Sequence, residues 1–313
     1  MMRNTITFLL GAITACMSHA DTFILPPADI DIVGQLETIT AGRANTLLDI
    51  ARKYDIGQNE ILHANPGVDR WLPADNSTVI VPNRYILPAT KRTGLVLNLP
   101  EMRLYYYPKP KAGEPPVVIT HPVSVGRMDW ETPLGKTKII QKKKDPDWRP
   151  PQSLKDEAIA AGDEPLPDIV LAGPDNPLGS YAMRLGIPGY LIHSTNKPYG
   201  VGMRVTHGCL RMYPEDIETL FDKISVGAQV QLVNQPIKLG WLAGSLFIEL
   251  HPPLDEDLEQ YQDYMRSVLD AIADFLADER NAGAMDSVDV SLSGSALRQA
   301  VEEQSGMPVL ISR

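Results

Sequence analysis

Proline limits how this chain can fold more than any other residue type. The 313 residues include 27 prolines and 23 glycines, and proline fits neither the interior of a helix nor the centre of a sheet. We therefore expect short strands, turns and extended connections rather than long helices. Hydrophobic residues make up 43% and charged residues 22%, as is typical of a folded globular protein.

The net charge is acidic, and it excludes one broad class of function. Aspartate and glutamate number 39 against 29 lysines and arginines, which gives −10 at pH 7. Because such a chain has no general positive field to attract phosphates, we predict no binding of nucleic acid. The sequence also has no His-Glu-x-x-His, paired-cysteine or glycine-rich phosphate motif. We therefore predict neither a metal nor another cofactor.

The first 20 residues have the three parts of a secretory signal peptide. A short basic start at 1–4 precedes an uncharged, mostly apolar run at 5–15, and small residues at 18 and 20 favour cleavage before Asp21. The run is too short to span a bilayer, which takes about 20 apolar residues, and we predict no transmembrane segment. Lipidation of Cys16 is an alternative, because the preceding residues loosely fit a lipoprotein processing box.

After the signal peptide, residues 21–36 are interpreted as a linker and residues 37–83 as a very small domain. Apolar residues have helical spacing at 47–51 and again at 61–62, and residues 78–82 have the composition of a short strand. The order strand, helix, helix, strand is therefore predicted for this domain.

A strand-rich domain is predicted over residues 93–234. Its strands are predicted at 95–99, 103–107, 117–120, 123–125, 137–140, 181–185, 190–193 and 229–233. Residues 142–177 are predicted to be a long loop with at most one short helix, at 154–161, and loops of that length are often lids. A helix is predicted to begin at Pro214, with acidic residues in its first turn.

The remaining residues, 235–313, are predicted to form a C-terminal extension that contains helix. A strand is predicted at 246–250, and an amphipathic acidic helix at 255–280. The acidic face of that helix is expected to be solvated rather than to bind a ligand.

One group of residues has the pattern of nucleophilic catalysis. His193 ends a predicted strand, and sixteen residues later Cys209 follows Thr206, His207 and Gly208. Removal or lipidation of Cys16 leaves Cys209 as a lone thiol in an exported chain, which calls for a chemical explanation. A thiol needs a neighbouring base or positive field to become a thiolate, and a histidine supplies both.

The residues around the thiol also suit acyl transfer. Gly208 allows a close backbone approach beside the nucleophile. The amides of Gly208 and Cys209 are expected to stabilise the oxygen of a tetrahedral intermediate. The helix predicted at Pro214 would further favour the thiolate through its positive N-terminus.

This pattern resembles the signature of the L,D-transpeptidase (YkuD-domain) family, namely a histidine, a gap of about fifteen residues, and Ser/Thr-His-Gly-Cys followed two positions later by Arg or Asn. Segments outside the signature, at 101–108, 131–133, 172–177 and 305–309, resemble the Gram-negative periplasmic branch of the ErfK type. Residues 37–83 are similar to a LysM domain, a module that holds glycan chains. A spacer without a ligand remains the alternative for them.

The resemblance implies a fold, a location and a reaction. It implies a mostly β catalytic domain, a YkuD-like β-sandwich or mixed sheet, beside the βααβ LysM-like domain. It implies a periplasmic enzyme whose Cys209 attacks the bond between meso-diaminopimelate and D-Ala in peptidoglycan stems, with His193 as base and then acid. The carbonyl of Ser194 would orient His193. The implied acyl acceptor is the C-terminal lysine of Braun-type lipoprotein, and the alternatives are 3→3 cross-linking and hydrolysis.

The other candidate residues retain two interpretations each. His207 either assists the substrate or supports its loop, and Arg211 either holds a substrate carboxylate or braces the site by pairing with an acid such as Asp216. The predicted substrate-binding set also includes Thr206, Ser194, Tyr181, Met183 and Arg184, and core packing is the alternative for Tyr181, Met183 and Arg184. A non-catalytic wall-binding scaffold is the competing functional class, and a papain-like protease is disfavoured because the histidine precedes the cysteine.

Overall fold

The structure is a computed structural model that describes residues 21–42, 44–281 and 290–312. The predicted signal peptide and Cys16 lie outside the described residues. The strands are β1 (Asp21–Ile24), β2 (Ile32–Gly34), β3 (Glu37–Thr40), β4 (Thr78–Val81), β5 (Arg84–Ile86), β6 (Gly94–Asn98), β7 (Arg103–Tyr107), β8 (Val117–Pro122), β9 (Val125–Gly126), β10 (Gly135–Lys144), β11 (Tyr181–Leu185), β12 (Leu191–His193), β13 (Arg204–Thr206), β14 (Leu210–Arg211), β15 (Gln229–Val233), β16 (Ile237–Leu242), β17 (Ser245–Leu250) and β18 (Val309–Leu310). The α-helices are α1 (Leu47–Lys53), α2 (Gln58–Ala64), α3 (Gln152–Ala161), α4 (Pro214–Lys223), α5 (Tyr264–Asn281) and α6 (Gly294–Glu303).

The main sheet is mixed, and it carries the predicted catalytic motif at one edge. Its strand order is β1-β8-β7-β6-β15-β10-β11-β12-β14. The pairs β6/β15 and β12/β14 are parallel, and the others are antiparallel. Helix α4 begins at Pro214, as the sequence predicts, and buries Ile217 and Leu220 in the main hydrophobic core beside the sheet.

The segment predicted to be a linker contributes to this sheet. Residues 21–24 form β1, which pairs antiparallel with β8 from Asp21 opposite Thr120 to Ile24 opposite Val117. A linker interpretation of residues 21–36 is therefore wrong for this part of the segment. Nothing local in four residues indicates the pairing, because the partner strand lies almost a hundred residues away.

Strand β10 is longer than the sequence predicts, since residues 142–144 continue it rather than begin the loop. A register shift between Ile139 and Gln141 lets the strand pair first with β15 and then with β11. Three consecutive lysines fit here because Lys142 donates hydrogen bonds to the carbonyls of Phe221 and Ile224 at the end of α4. A lysine at that place also complements the negative end of the helix dipole.

Residues 37–81 form the predicted order strand, helix, helix, strand. Thr46 caps α1 by accepting a hydrogen bond from the Asp49 amide at 3.0 Å, and the Asp49 carboxylate accepts one from the Thr46 amide. Leu47, Ile61 and Val79 are fully buried in a core that this βααβ unit forms by itself. The capping box and this core explain why so short a segment folds.

The βααβ unit is fixed to the main sheet by buried charge. The Arg103 guanidinium on β7 is fully buried and donates to both carboxylate oxygens of Glu60 on α2, at 2.8 and 2.9 Å. At the surface, Arg52 forms a second ion pair with Glu215 on α4. A buried arginine is tolerated only with such partners, so this contact fixes where the unit sits.

The C-terminal part packs helices α5 and α6 on the sheet β16-β17-β18. The periodicity predicts that this helix begins at residue 255, but α5 begins at Tyr264. A 3-10 turn at Asp255–Asp257 precedes it, where Asp255 and Glu256 pair with Arg204 at 3.0 and 2.8 Å. Of the helices among the described residues, none has the length and apolar character needed to cross a membrane.

Candidate active site

Two adjacent strands bring the motif residues together. Strands β12 and β14 are parallel, with Ile192 opposite Leu210 and His193 opposite Arg211. Because side chains alternate along a strand, Cys209, two residues before Arg211, falls on the same side as Arg211 and His193. Ile192 and Leu210 point the other way, into the main core, and both are fully buried.

These side chains open into a cleft of about 470 Å³. His193, Thr206, His207, Cys209 and Arg211 all line it, so these five residues of the motif lie in one cleft. The cleft is further lined by residues of β10 and β11, of the segment between them, of the turn before β12 and of the start of β12, namely Gln141, Lys143, Pro146, Asp147, Trp148, Arg149, Pro151, Leu154, Pro177, Leu178, Ala182, Arg184, Gly189 and Leu191.

The His193 imidazole is held in one tautomer. Its Nδ1 lies 2.6 Å from the carbonyl oxygen of Ser194, as the sequence analysis expected. Since a carbonyl only accepts, Nδ1 carries the hydrogen and Nε2 is left as the acceptor. Burial and the charge of Arg211 lower the pKa of His193 from 6.5 to about 4. The imidazole is therefore neutral near pH 7 and able to act as a base.

The Cys209 thiol is neutral at rest, which differs from the thiolate that the sequence favours. Burial raises the pKa of Cys209 and outweighs the opposing effects of the Leu191 amide and the Arg211 charge. Its Sγ lies 3.6 Å from the carbonyl oxygen of Gly189, which accepts the thiol hydrogen. The site thus contains a neutral thiol and a neutral imidazole, so the proton must move when the sulfur attacks.

The turn that holds the thiol, residues 206–209, is called the catalytic turn below. Gly208 has φ +89°, and a Cβ there would lie 2.6 Å from Cε1 of Tyr190. Thr132 donates to the Gly208 carbonyl at 2.9 Å, and Thr206 Oγ1 donates to the Cys209 carbonyl at 2.5 Å. Glycine is required by conformation and by space, while Thr206 holds the turn closed.

Arg211 faces the cleft rather than bracing the site through Asp216. The nearest charged partner of Asp216 is His121, with Oδ1 3.6 Å from Nδ1. The Nε of Arg211 is buried and without a hydrogen-bond partner. A buried guanidinium nitrogen with no partner is costly, so the open donor favours the interpretation in which Arg211 takes up a substrate carboxylate.

Three of the residues predicted to contact substrate do not line the cleft. Ser194 is 1% exposed, and its carbonyl binds the His193 ring instead. Met183 is fully buried and pairs in register with Ile192, so it belongs to the core. Tyr181 packs against Phe221 with ring centroids 5.1 Å apart, and its hydroxyl donates to Glu218. For Met183 and Tyr181 the structure favours the alternative of packing, because odd-numbered residues of β11 face the core and α4. The even-numbered Arg184 does line the cleft.

The segment between β10 and β11, residues 145–177, forms the opposite wall and is called the lid segment below. Trp148 and Arg149 line the cleft from it, with Leu154 of α3. The sequence predicts a lid-like loop here with a short helix at 154–161, close to the observed α3. Arg149, and Lys143 of β10, were not predicted to line the cleft, because a cation in a polar stretch carries no local signal that it faces a cleft.

His207 joins the catalytic turn to the lid segment. Its Nε2 lies 3.0 Å from the Glu157 carboxylate on α3, and its ring meets Trp130 edge to face at 5.1 Å. Glu157 also pairs with Arg127. Of the two interpretations of His207, this geometry favours support of the loop. The partner Glu157 is fifty residues away in sequence and was not predicted.

Two buried clusters outside the cleft have donor sets that a metal ion could use. Asp55, His121 and Asp216 form one, and Glu101, Glu249 and His251 form the other, each with three ligand atoms within 4.8 Å of one another. In both clusters a protonated group supplies positive charge. Lys238 Nζ lies 2.8 Å from Glu101 and 2.6 Å from Glu249.

In the cluster of Asp55, His121 and Asp216, the positive charge is carried by His121. Burial alone would lower the pKa of His121, but the charges of Asp55 and Asp216 outweigh it and raise the pKa to about 10. None of the residues of either cluster lines the cleft.

Comparison with known proteins assigns the family. The sequence profile of the L,D-transpeptidase catalytic domain (YkuD) matches residues 92–232. The probable L,D-transpeptidase YbiS of Escherichia coli K12 is 39% identical over 301 residues, covering 94% of this chain and 93% of the relative. The chain belongs to the L,D-transpeptidase family. The probable L,D-transpeptidase ErfK/SrfK of Salmonella typhimurium, 38% identical over 94% of this chain and 92% of its own, places the chain in the ErfK-type branch.

Solved structures of L,D-transpeptidases also match this chain. An L,D-transpeptidase from Mycobacterium smegmatis aligns with TM-score 0.35 and 20% identity over 53% of this chain and 70% of that one. The catalytic domain of the Enterococcus faecium L,D-transpeptidase aligns with TM-score 0.34 and 21% identity over 47% of this chain and 100% of that one. The family assignment depends on the profile and the two relatives above.

The family assignment confirms the prediction of a YkuD-type, mostly β catalytic domain and of a cysteine L,D-transpeptidase. In this L,D-transpeptidase, His193 comes from β12, Cys209 from the turn between β13 and β14, and Arg211 from β14, and all three line the cleft.

Proposed function

We propose that this L,D-transpeptidase cleaves the bond between meso-diaminopimelate and D-Ala in peptidoglycan tetrapeptide stems and transfers the acyl group to an amine. The observation that carries the proposal is the common cleft of Cys209, neutral His193 and unpartnered Arg211. A wall-binding scaffold would have no need of a histidine held in its base tautomer by a 2.6 Å hydrogen bond.

The first half of the reaction forms a thioester and releases D-Ala. Sγ of Cys209 attacks the diaminopimelate carbonyl carbon while its proton passes to Nε2 of His193. The amides of Gly208 and Cys209 are the donors that we assign to the developing oxyanion, which such donors stabilise by about 3–4 kcal/mol each. The carbon–nitrogen bond then breaks, and His193 returns the proton to the leaving amine.

The second half of the reaction runs the same steps backwards with a new amine. A neutral amine attacks the thioester carbonyl and gives its proton to His193, the carbon–sulfur bond breaks, and the proton returns to the Cys209 sulfur. The low pKa of His193 keeps the imidazole free to accept a proton in both halves. Attack by water instead of an amine would make the enzyme an L,D-carboxypeptidase.

The charge of the cleft supports an anionic peptide as donor. Lys143, Arg149, Arg184 and Arg211 line it against one acid, Asp147, although the whole chain carries a net charge of −10. A tetrapeptide stem presents several carboxylates, which arginine forks bind well. Because Arg211 and Cys209 line the same cleft, a carboxylate bound to Arg211 would lie close to the sulfur.

For the acceptor, we propose the C-terminal lysine side chain of a Braun-type outer-membrane lipoprotein. Glu131 and Cys209 both influence the pKa of the Tyr190 phenol, so this acidic side chain lies near the nucleophile. Glu131 is exposed, as is Asp129 in the same segment. An acidic surface at Asp129 and Glu131, beside the cationic cleft that binds the donor, attracts a lysine side chain better than a peptide stem rich in carboxylates.

The donor and the nucleophile are tested first. Purified enzyme with a tetrapeptide muropeptide is expected to release D-Ala, and Cys209→Ala should lower that rate by about 10⁴-fold or more. Intact mass after exposure to a carbapenem should show one adduct on wild type and none on Cys209→Ala. No D-Ala release and no adduct on the wild type would leave the scaffold as the better explanation.

The acceptor is then identified by competition. A lysine-ended lipoprotein peptide added in excess should give the branched product, and Glu131→Gln should raise the KM for that peptide by about threefold without changing D-Ala release. Asp168→Asn, which changes an acid away from this approach, serves as the matched control. Formation of 3→3 dimers alone would overturn the lipoprotein acceptor, and free tripeptide alone would assign hydrolysis.

We further propose that residues 37–83 are a LysM domain that binds peptidoglycan glycan. Trp71 and Leu72 project from the loop before β4, with 62% and 74% of their surface exposed, and exposed aromatic side chains commonly stack on ligand rings. Trp71→Ala should weaken pulldown of the enzyme by insoluble peptidoglycan by about threefold to tenfold while leaving turnover of soluble muropeptides unchanged. Equal pulldown of both proteins would favour a spacer without a ligand.

The location follows from the proposed substrate. We propose that residues 1–20 direct export to the periplasm and are removed before Asp21. N-terminal sequencing of the protein from a periplasmic extract should begin at Asp21, whereas a lipid-modified peptide starting at Cys16 would establish the alternative.

A further inference from the structure

Helix α3 covers the cleft with almost no apolar packing of its own. Leu154 lines the cleft, but no residue of α3 is buried, and Ile159 is 61% exposed. A helix of ten residues is not stable by itself in water, so tertiary contacts must hold it in place. Because α3 buries no side chain, polar contacts at its surface must hold it in place.

One carboxylate on α3 reaches the catalytic turn. Glu157 Oε2 lies 3.0 Å from Nε2 of His207, and Oε1 pairs with Nη2 of Arg127. Arg127 in turn donates its amide to the carbonyl of Thr206 at 3.0 Å. Glu157 therefore bridges His207, which belongs to the catalytic turn, and Arg127, which binds that turn through its backbone amide.

The other ion pairs of this region differ in what they join. Lys155 and Asp168 pair at 2.6 Å, and both belong to the lid segment. Lys143 and Asp147 pair at 3.7 Å at the end of β10, where the lid segment starts. Neither reaches the catalytic turn, so both can persist whether α3 lies on the turn or away from it.

We propose that Glu157 is a positioning residue that latches helix α3 onto the catalytic turn, fixing His207 and closing the cleft around the donor peptide. With the latch made, Trp148 and Arg149 face the bound stem from the lid segment. With the latch broken, this wall withdraws, donor binding weakens and Cys209 becomes reachable by bulky reagents. The inference concerns the proposed enzyme, but the access of reagents to its thiol does not depend on which substrate it uses.

Alkylation of the thiol measures the closure directly. In the full chain with Cys16→Ser, Cys209 is the sole thiol, so its modification rate can be measured by intact mass with small iodoacetamide and with a bulky dye maleimide. Glu157→Ala should raise the ratio of the bulky to the small rate by about threefold to tenfold, the size expected when a few exposed charged contacts are lost. Glu157→Gln, which retains a hydrogen bond but loses the charge, should fall between wild type and Glu157→Ala.

The matched control is Asp168→Asn, which breaks an ion pair within the lid segment and leaves the latch intact. It should give the wild-type ratio. Because α3 buries no side chain, Glu157→Ala is expected to fold, and a thermal melt within a few degrees of wild type verifies this. An unchanged rate ratio in folded Glu157→Ala overturns the latch.

Kinetics with the donor peptide separates positioning from a general loss of structure. Glu157→Ala should raise the donor KM by about threefold to tenfold and change kcat by less than about twofold. His207→Gln should do the same, and the double variant should be no worse than either single one, because both break one contact. Additive effects of the two variants would also overturn the proposal. If no donor is turned over but the alkylation ratio changes, the proposed substrate is wrong and the latch stands.

Discussion

The two walls of the cleft are built on opposite principles. The wall of β11, β12 and β14 is part of the main core, with Met183 and Ile192 fully buried and His193 5% exposed. The lid wall, residues 145–177, carries a helix that buries nothing and is fixed by ion pairs at its surface. The reacting groups are therefore positioned by the backbone hydrogen bonds between β12 and β14. Trp148 and Arg149 of the lid segment, in contrast, lie on an element that can move at low energetic cost.

The difference also separates the electrostatics of the two walls. On the strand wall, burial sets the pKa values and leaves a neutral His193 beside a neutral Cys209. On the lid wall the charged groups are solvated, and their contribution is attraction for an anionic peptide. Variants of the buried His193 should thus change chemistry, variants of the core residues of the strand wall should change folding, and variants on the lid wall should change binding.

Among the variants that compare the two walls, the largest effect is expected on the strand wall, at the base. His193→Gln removes the proton acceptor while keeping a polar side chain, and should lower kcat for D-Ala release by about 10²–10⁴-fold. The lid variant Trp148→Ala should leave kcat within about threefold and act on KM instead. Steady-state kinetics of both variants on one donor peptide measures the contrast. Similar losses of kcat in the two variants would show that the walls do not divide the work in this way.

The pH dependence sharpens the same prediction. Because the pKa of His193 is lowered to about 4 from 6.5, the wild-type rate should persist through the range where an ordinary histidine becomes protonated, and fall only towards about pH 4. It should increase above neutrality as the raised pKa of Cys209 is approached. The folded protein also binds fewer protons than the unfolded chain between about pH 4 and 6.5, so His193 makes the free energy of unfolding decrease as the pH falls through that range. A rate that falls with an apparent pKa near 6.5 would contradict the burial argument.

The two walls should also differ in how much a truncated side chain lowers the free energy of unfolding. Met183→Ala leaves a cavity in the core, which typically costs about 2–5 kcal/mol of unfolding free energy. Ile159→Ala on α3 removes a side chain that is 61% exposed and should cost less than about 0.5 kcal/mol. Urea denaturation of both variants measures the difference, with the slope m compared to confirm that each unfolds as the wild type does. A large loss in Ile159→Ala would mean that the lid segment is part of the cooperative core.

The sequence predicted the strand wall better than the lid wall, for physical reasons. Strands and a helix start can be inferred from periodicity and from Pro214, and the motif from His193 to Arg211 is local enough to imply one site. Contacts between distant segments leave no local pattern. The pairing of Glu157 with His207, and of β1 with β8, depends on tertiary placement that single-sequence reasoning cannot supply.

The sequence also left open which side of a strand faces the cleft. A strand of five residues with apolar side chains on both sides, such as β11, does not reveal which parity faces the cleft. Contact with substrate and core packing therefore both remained open for Met183 and Tyr181, and the register with Ile192 turns them to the core and α4. The resting charge of Cys209 was likewise misjudged, since burial cannot be read from a motif.

An intermediate effect is expected at Arg211, where the two functions of the walls meet. Arg211→Gln removes a cation from the cleft and should lower kcat/KM by about tenfold to a hundredfold through donor binding. It also removes the charge that helps to lower the pKa of His193, so the acid limb of the rate should move upward from about pH 4. Arg211→Lys should keep the position of the limb but not the bidentate contact. An acid limb that stays in place in Arg211→Gln would mean that burial alone sets the pKa of His193.

The smallest effect is expected at Tyr181, and it tests the facing of β11 directly. Its hydroxyl donates to Glu218 at 2.9 Å on the surface, and its ring packs on Phe221 rather than on the cleft. Tyr181→Phe keeps the ring and loses one exposed hydrogen bond, so it should change the free energy of unfolding by less than about 1 kcal/mol and kcat/KM by less than about twofold. Arg184→Ala, three positions along β11 and on the face that lines the cleft, is the matched comparison and should raise the donor KM severalfold. A tenfold rise of KM in Tyr181→Phe would mean that the hydroxyl contacts the donor and that β11 presents both of its faces to substrate.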